Sequence, residues 1–154
     1  MSELRRLGPD DWEAFREIRL RSLADSPDAF GSTWEREQAF TEDDWRRRLR
    51  GPVYAVTDPV PVAVGGLFEN DGVFQVWGMW TDPAHRHRGH ARRILDALIA
   101  PDVDAVLDVN VANDPARAAY ERYGFVRTGR LEPLRPGSDQ RMERMVLTRS
   151  GSQR

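Results

Sequence analysis

Hydrophobic and polar positions change period several times along the chain, and each change marks an element. Glu3–Leu7 reads as a short first strand closed by Gly8-Pro9. Asp10 or Asp11 can then cap a helix in which Phe15, Ile18 and Leu23 recur at helical spacing. Ser26-Pro27 ends it, because the residue before a proline avoids helical backbone. Thr41 followed three residues later by Asp44 has the form of a capping box, opening a short helix to about Leu49. Three strand-like runs follow, Val53–Thr57, Val60–Phe68 and Val73–Thr81. The turn pairs Asp58-Pro59 and Asp71-Gly72 between them predict an antiparallel meander.

His90–Ala100 then carries Ile94, Leu95, Leu98 and Ile99 on one side of a helix that Pro101 ends. Ala105–Val111 reads as a buried strand, and Asp114–Tyr123 as a helix with Pro115 in its first turn. Phe125–Leu131 and Arg141–Leu147 are the last strands. The strand–helix–strand run from Val73 to Val111 implies two parallel strands, 73–81 and 105–111, joined by a right-handed crossover. The expectation is a mixed α/β fold, mostly antiparallel, with helices on both faces of one sheet. A single domain is expected over 1–148, and a disordered polar tail over 149–154.

Composition narrows the chemistry. The 154 residues, 40% hydrophobic and 31% charged, suit one soluble domain. There is no cysteine, so thiolate nucleophiles, disulfides and cysteine-ligated metals are excluded. All 23 cationic side chains are arginine, so no lysine can act as Schiff-base nucleophile or base. A net charge of −2 gives no global field for nucleic acid. No apolar run approaches the roughly 18 residues of a membrane span, and no signal peptide opens the chain, so a cytoplasmic protein is expected.

Basic charge is local instead, in RRRLR (46–50) and HRHRGHARR (85–93). The first is most simply a solvated helix face. In the second, Asp82-Pro83 ends a strand, and Gly89 and Ala91 let backbone N–H groups converge as a helix begins. Such a turn favours an anion at the positive end of the helix, and its arginines add charge-assisted contacts to phosphate oxygens. There is neither a GK[ST] triplet nor a GxGxxG pattern, which sets aside the common nucleotide loops. The local chemistry is that of a diphosphate site. His85, His87 and His90 form an HxHxxH pattern, but the chain turns from loop to helix across it and scatters the rings, so no metal is expected.

Arg86-His87-Arg88-Gly89-His90-Ala91 resembles the R/Q-x-x-G-x-G/A motif of the GNAT superfamily of N-acetyltransferases. Downstream, Asn113, Ala116, Tyr120, Gly124 and Phe125 fall on a second block of that family, N-x-x-A-x-x-x-Y-x-x-x-G-F. The segment RLRSLADSPDAFGS near the start is similar too, so the resemblance spans nearly the whole chain. It implies acetyl-CoA as cosubstrate. The pantetheine arm would lie between splayed strands against the backbone of Met79, Trp80 and Thr81. The pyrophosphate would rest on the N–H groups of Arg86, His87, Arg88, Gly89, His90, Ala91 and Arg92, with Asn113 near the pantetheine.

The resemblance also implies roles in transfer to an amine. Tyr120 matches the family tyrosine that protonates the leaving thiolate, and Asp108 stands where some members place a basic glutamate. Glu69 and a water relay are the other candidate bases. Phe30, Trp34 and Trp77 are expected to enclose the acceptor, a small-molecule amine or a peptide N-terminus, and a homodimer is allowed. An acetyl-CoA sensor without turnover is the alternative function.

Overall fold

The computed structural model describes residues 2–150. Seven strands form one sheet: β1 (Glu3–Arg6), β2 (Val53–Thr57), β3 (Pro61–Asn70), β4 (Val73–Thr81), β5 (Ala105–Asn110), β6 (Val126–Pro133) and β7 (Arg141–Leu147). The order across the sheet is β1-β2-β3-β4-β5-β7-β6. Every neighbouring pair is antiparallel except β4 and β5, which run parallel and register at a single pair, Gln75 with Val106. Beyond that pair the two strands separate.

Five α-helices flank the sheet: α1 (Trp12–Asp25), α2 (Trp34–Glu37), α3 (Glu42–Arg48), α4 (His90–Leu98) and α5 (Asp114–Tyr123). The pleat sends adjacent residues to opposite faces, and two cores result. Ala55, Val64 and Trp80 face Phe15, Ile18 and Trp45 of the first helices. Val56, Ala63 and Leu67 face Ile94, Leu95 and Leu98 of α4, with Leu107 and Phe125. The α1 stripe Phe15, Ile18, Arg19, Ser22, Leu23 is buried at helical spacing, and one of its members is an arginine.

Local signals hold where they are self-contained. The Thr41–Asp44 capping box forms, with Thr41 N–H donating to Asp44 Oδ2 at 2.9 Å and Asp44 N–H to Thr41 Oγ1 at 3.2 Å. Asp11 does not cap α1 with its side chain. It accepts from the Gly8 N–H and from Arg5, closing the short 3-10 turn at Pro9–Asp11. The one-turn helix α2, capped by Thr33, was not expected. At the other end, Arg149 and Ser150 donate to Asp104 rather than hanging loose. The rest of the expected disordered tail, 151–154, lies outside the described residues.

Candidate active site

The gap between β4 and β5 collects Phe30, Trp77, Met79, Asp108, Asn113 and Tyr120 from the residues singled out above. Because the strands are parallel, their C-terminal ends open at one edge, and α4 and α5 both begin there. A bulge sharpens the opening. β3 and β4 pair Val64 with Trp80 but Gly66 with Trp77, so Gly78 and Met79 face no residue on β3. A Cβ on Gly65, which the bulge also leaves out of register, would press against the Met79 side chain. From Trp77 onward, β4 therefore presents a strand edge that β5 does not cover.

Two cavities meet at this edge. The smaller, of about 80 Å³, is walled by Gly78 and Met79 of β4, Leu107 to Asn110 of β5, and Asn113, Ala116 and Tyr120 of α5. The larger, of about 270 Å³, is walled by Arg19, Gln75, Trp77, Arg130, Glu132, Leu134 and Arg144 among others. Phe30, Trp77, Gly78 and Asp108 line both, so the cavities adjoin through the gap.

The expected residues take distinct positions. Tyr120 is half-buried, with its ring edge-on to Phe125 at 5.9 Å, and its hydroxyl makes no hydrogen bond among the described residues. Desolvation pushes its phenol up to about 12. Asn113 caps α5, its Oδ1 accepting from the Ala116 N–H at 3.2 Å, and the residue lines the smaller cavity. Phe30 and Trp77 line both cavities. Trp34 does not: it opens α2 on the surface, 41% exposed, and lines neither cavity. Glu69 is likewise remote, exposed beside the β3–β4 turn and paired with Phe74.

Asp108 stands between the cavities, but its carboxylate is occupied. Arg144, directly opposite on β7, donates from Nε to Oδ1 at 3.0 Å and from Nη2 to Oδ2 at 3.1 Å. Gln75 Nε2 adds a third donor at 3.2 Å. A free base is therefore not what the geometry offers at this position. The same hydrogen bonds raise the Arg144 guanidinium above its usual value.

The basic segment leaves β4 through Asp82, whose Oδ1 accepts from the Ala84 N–H, and runs over a 3-10 turn to α4. His87 and Gly89 both have positive φ, 65° and 79°. Gly89 is the N-cap of α4, and a Cβ on it would meet nothing within 4 Å, so the space above it is open. This backbone turns successive N–H groups to one side, the arrangement that holds oxyanions. The Arg86 side chain folds back over the end of β4. Its Nε donates to Thr81 O at 2.9 Å and its Nη2 lies 3.6 Å from Asp25. Trp80, whose Nε1 also donates to Asp25, turns its side chain into the core, leaving only its backbone for a ligand. His90 is buried, and its imidazole is held below the usual value first by desolvation, then by Arg93 and Arg88. Those last causes register the positive field at the start of α4. Among the described residues no group of His, Asp and Glu is placed to hold a metal, and no helix is long and apolar enough to cross a membrane.

Sequence reasoning missed several cavity residues. Asn110 is buried and ties Asp28 and Gln140 to the gap through its Nδ2, at 2.9 Å each. Arg144 and Gln75 fix Asp108, and Arg19 lies under the larger cavity. Only Arg19 left a mark in the sequence, as a charge inside the apolar stripe of α1.

A family model described as the GNAT acetyltransferase family matches residues 12–125. No curated protein sequence matches the chain. Among solved structures, the ribosomal-protein-S18-alanine N-acetyltransferase of Escherichia coli is 19% identical with a TM-score of 0.72, covering 99% of this chain and 96% of that one. A Streptococcus pneumoniae acetyltransferase of the GNAT family is 12% identical with a TM-score of 0.79, covering 95% and 98%. A Salmonella typhimurium protein solved with its cofactor acetyl-CoA is 18% identical with a TM-score of 0.73, covering 96% and 94%. At these identities the likeness is one of fold.

Proposed function

Because the chain belongs to the GNAT acetyltransferase family, we propose that it transfers the acetyl group of acetyl-CoA directly to a primary amine. The observation that carries this reading is the pair of cavities adjoining at Gly78 and Asp108. Donor and acceptor can enter from opposite sides and react without a covalent enzyme intermediate, and the cysteine-free chain offers no thiol to form one.

Bound acetyl-CoA supplies a thioester carbonyl and a thiolate leaving group. The N–H groups from Arg86 to Arg92, opening α4, would hold its diphosphate, and the uncovered edge of β4 would pair with the amides of its extended arm. The β4 backbone at Gly78 and Met79 would face the carbonyl oxygen and stabilise the charge that develops there as the amine attacks. Asn113 Nδ2 is a further donor to the arm.

Tyr120 donates its hydroxyl proton toward the departing sulfur. With the phenol near 12 and a thiol near ~8.5, complete transfer is uphill by about 5 kcal/mol. Tyr120 thus acts first as a hydrogen-bond donor to the thiolate, which takes up the proton released by the amine. Asp108, locked by Arg144 and Gln75, is a positioning residue between the cavities, and water relays the proton from the amine. A neutral alkylamine is about one part in two thousand at neutral pH, a deficit of roughly 4–5 kcal/mol.

Thiol release with acetyl-CoA and a panel of amines and N-terminal peptides tests the reading. Turnover on at least one amine is expected. CoA binding without thiol release on any of them would make the chain a sensor of the cosubstrate instead.

A further inference from the structure

Beneath the larger cavity lies a charge cluster that the transfer chemistry does not use. Arg19 is 5% exposed on the inner face of α1. Its Nε and Nη2 donate to the two oxygens of Glu37 at 3.0 and 3.1 Å. Arg48, half-buried, donates to the same carboxylate at 2.7 Å, so one buried anion serves two cations. The Arg19 guanidinium sits over the Phe30 ring at 4.8 Å and beside Trp77 at 5.9 Å.

Its third nitrogen, Nη1, is buried and has no hydrogen-bond partner. A desolvated guanidinium N–H left unmade is costly, and native structures rarely keep one without use. Nη1 is also the atom nearest to where a side chain on Gly78 would stand, at 3.4 Å. Gly78 and Arg19 both line the cavity, and with no Cβ on Gly78 no side chain of β4 screens this N–H at that point.

The surrounding charge is uneven. Arg144 is matched by Asp108, and Arg130 stands 3.8 Å from Glu132. With Arg19, Arg48 and Glu37 included, four guanidiniums face three carboxylates, and the surplus lies with Arg19. A single negative charge is what the wall lacks. Asp108 and Glu132 would repel a dianion and favour an entering ammonium. At about 270 Å³ the cavity falls below the roughly 300–1,000 Å³ of pockets for drug-sized ligands.

We propose that the acceptor is a free amino acid, its carboxylate held by Arg19 Nη1 and its amine directed to the gap at Gly78. This rests on the transfer reading above and sharpens its substrate class. A peptide N-terminus carries a neutral carbonyl there in place of a carboxylate, and would leave the positive charge of this wall unmatched. The reaction forms an N–C bond, breaks the C–S bond, and passes one amine proton to the released thiolate, giving an N-acetylamino acid and CoA.

The test pairs each free L-amino acid with its carboxamide and its decarboxylated amine. Thiol release is measured with acetyl-CoA, and calorimetric binding with the CoA-loaded protein. At least one amino acid should exceed its amide by tenfold or more in both readouts. Arg19→Gln, made also with Glu37→Gln so that no buried carboxylate loses its partner, should erase that preference and leave CoA affinity unchanged. Thiol release in which amides match or exceed their acids overturns the proposal while leaving the transfer reading intact. An acid preference that survives Arg19→Gln in folded protein overturns it as well. Acid-selective binding without thiol release would sustain the carboxylate site and sink the transfer reading, and no binding or release with any acid would overturn the proposal. If neither variant folds, the wild-type comparison of acids with amides decides the matter alone.

Discussion

Glu37→Gln isolates the charge that holds Arg19 and Arg48 together. The Glu37 carboxyl is 1% exposed, and burial alone would raise its pKa. The hydrogen bonds and charges of Arg19 and Arg48 outweigh burial and bring it down from 4.5 to about 2. At 1.36 kcal/mol per pH unit, the folded state prefers the ionised form by about 3 kcal/mol. Glutamine has the shape of the protonated acid without the charge, so the variant should be less stable by about that amount at pH 7. For a chain of this length the melting point should fall by roughly 6–12 °C. The pH dependence follows from the sign. A depressed carboxyl contributes its stability fully above its unfolded value near ~4.3, and that contribution is lost as the pH drops through the folded value near 2. Urea unfolding read by tryptophan fluorescence at pH 7, 5, 4 and 3 checks both parts. The gap between wild type and variant should be widest above pH 5 and close as the pH approaches 2. A loss below about 1 kcal/mol at pH 7, or a gap independent of pH, would refute the assignment of Glu37 as the anchor of this cluster.

Tyr120→Phe should lower kcat by roughly 10²-fold, the contribution of a positioned proton donor, with acetyl-CoA affinity nearly unchanged in calorimetry; equal kcat would return Tyr120 to a packing role. Without an enzyme base, kcat/KM should rise with pH up to the pKa of the acceptor amine itself, and a phenol near 12 adds no alkaline limb below about pH 11. Amines of different pKa should shift the inflection, whereas one fixed at the same pH for all of them would reveal a base on the protein. Asp108→Asn should keep the shape of that profile and change kcat by less than about tenfold, since a true general base contributes roughly 10²–10⁴. Gly89→Val forces a side chain into φ of 79°, a strain of roughly 1–2 kcal/mol, and fills the open space above the start of α4. CoA affinity should fall at least tenfold while the melting point falls by only the roughly 2–8 °C that this strain accounts for, and unchanged affinity would move the diphosphate elsewhere.

Much of this was legible where the signal is local. The Thr41–Asp44 box, the apolar side of α4, the proline in the first turn of α5, and the apolar runs of β2 and β3 need only neighbouring residues to be read. Of the two blocks, the one carrying Tyr120 lies at the strand gap and the one carrying Gly89 at the start of α4. What stayed hidden depends on long-range register. Asp108 looks like a candidate base until β5 aligns with β7 and sets Arg144 opposite it. Glu37 gives no hint that Arg19, 18 residues earlier, will reach it across the first core. Trp34 reads as an apolar wall in the sequence, yet a one-turn helix carries it to the surface, because α2 is too short to bury both its ends.

The single register pair between β4 and β5 has a mechanical consequence. It divides the sheet into a four-stranded panel, β1 to β4, and a three-stranded panel, β5 to β7, joined at Gln75 and Val106. An extended ligand lying in the cleft would supply the rungs that the two strands do not give each other, and so splint the panels. Occupancy of that cleft is then coupled to the rigidity of the whole sheet, and ligand concentration becomes a determinant of folding stability. The wall between the cavities, with Gly78 on one panel and Asp108 on the other, would take its final spacing only once the splint is in place.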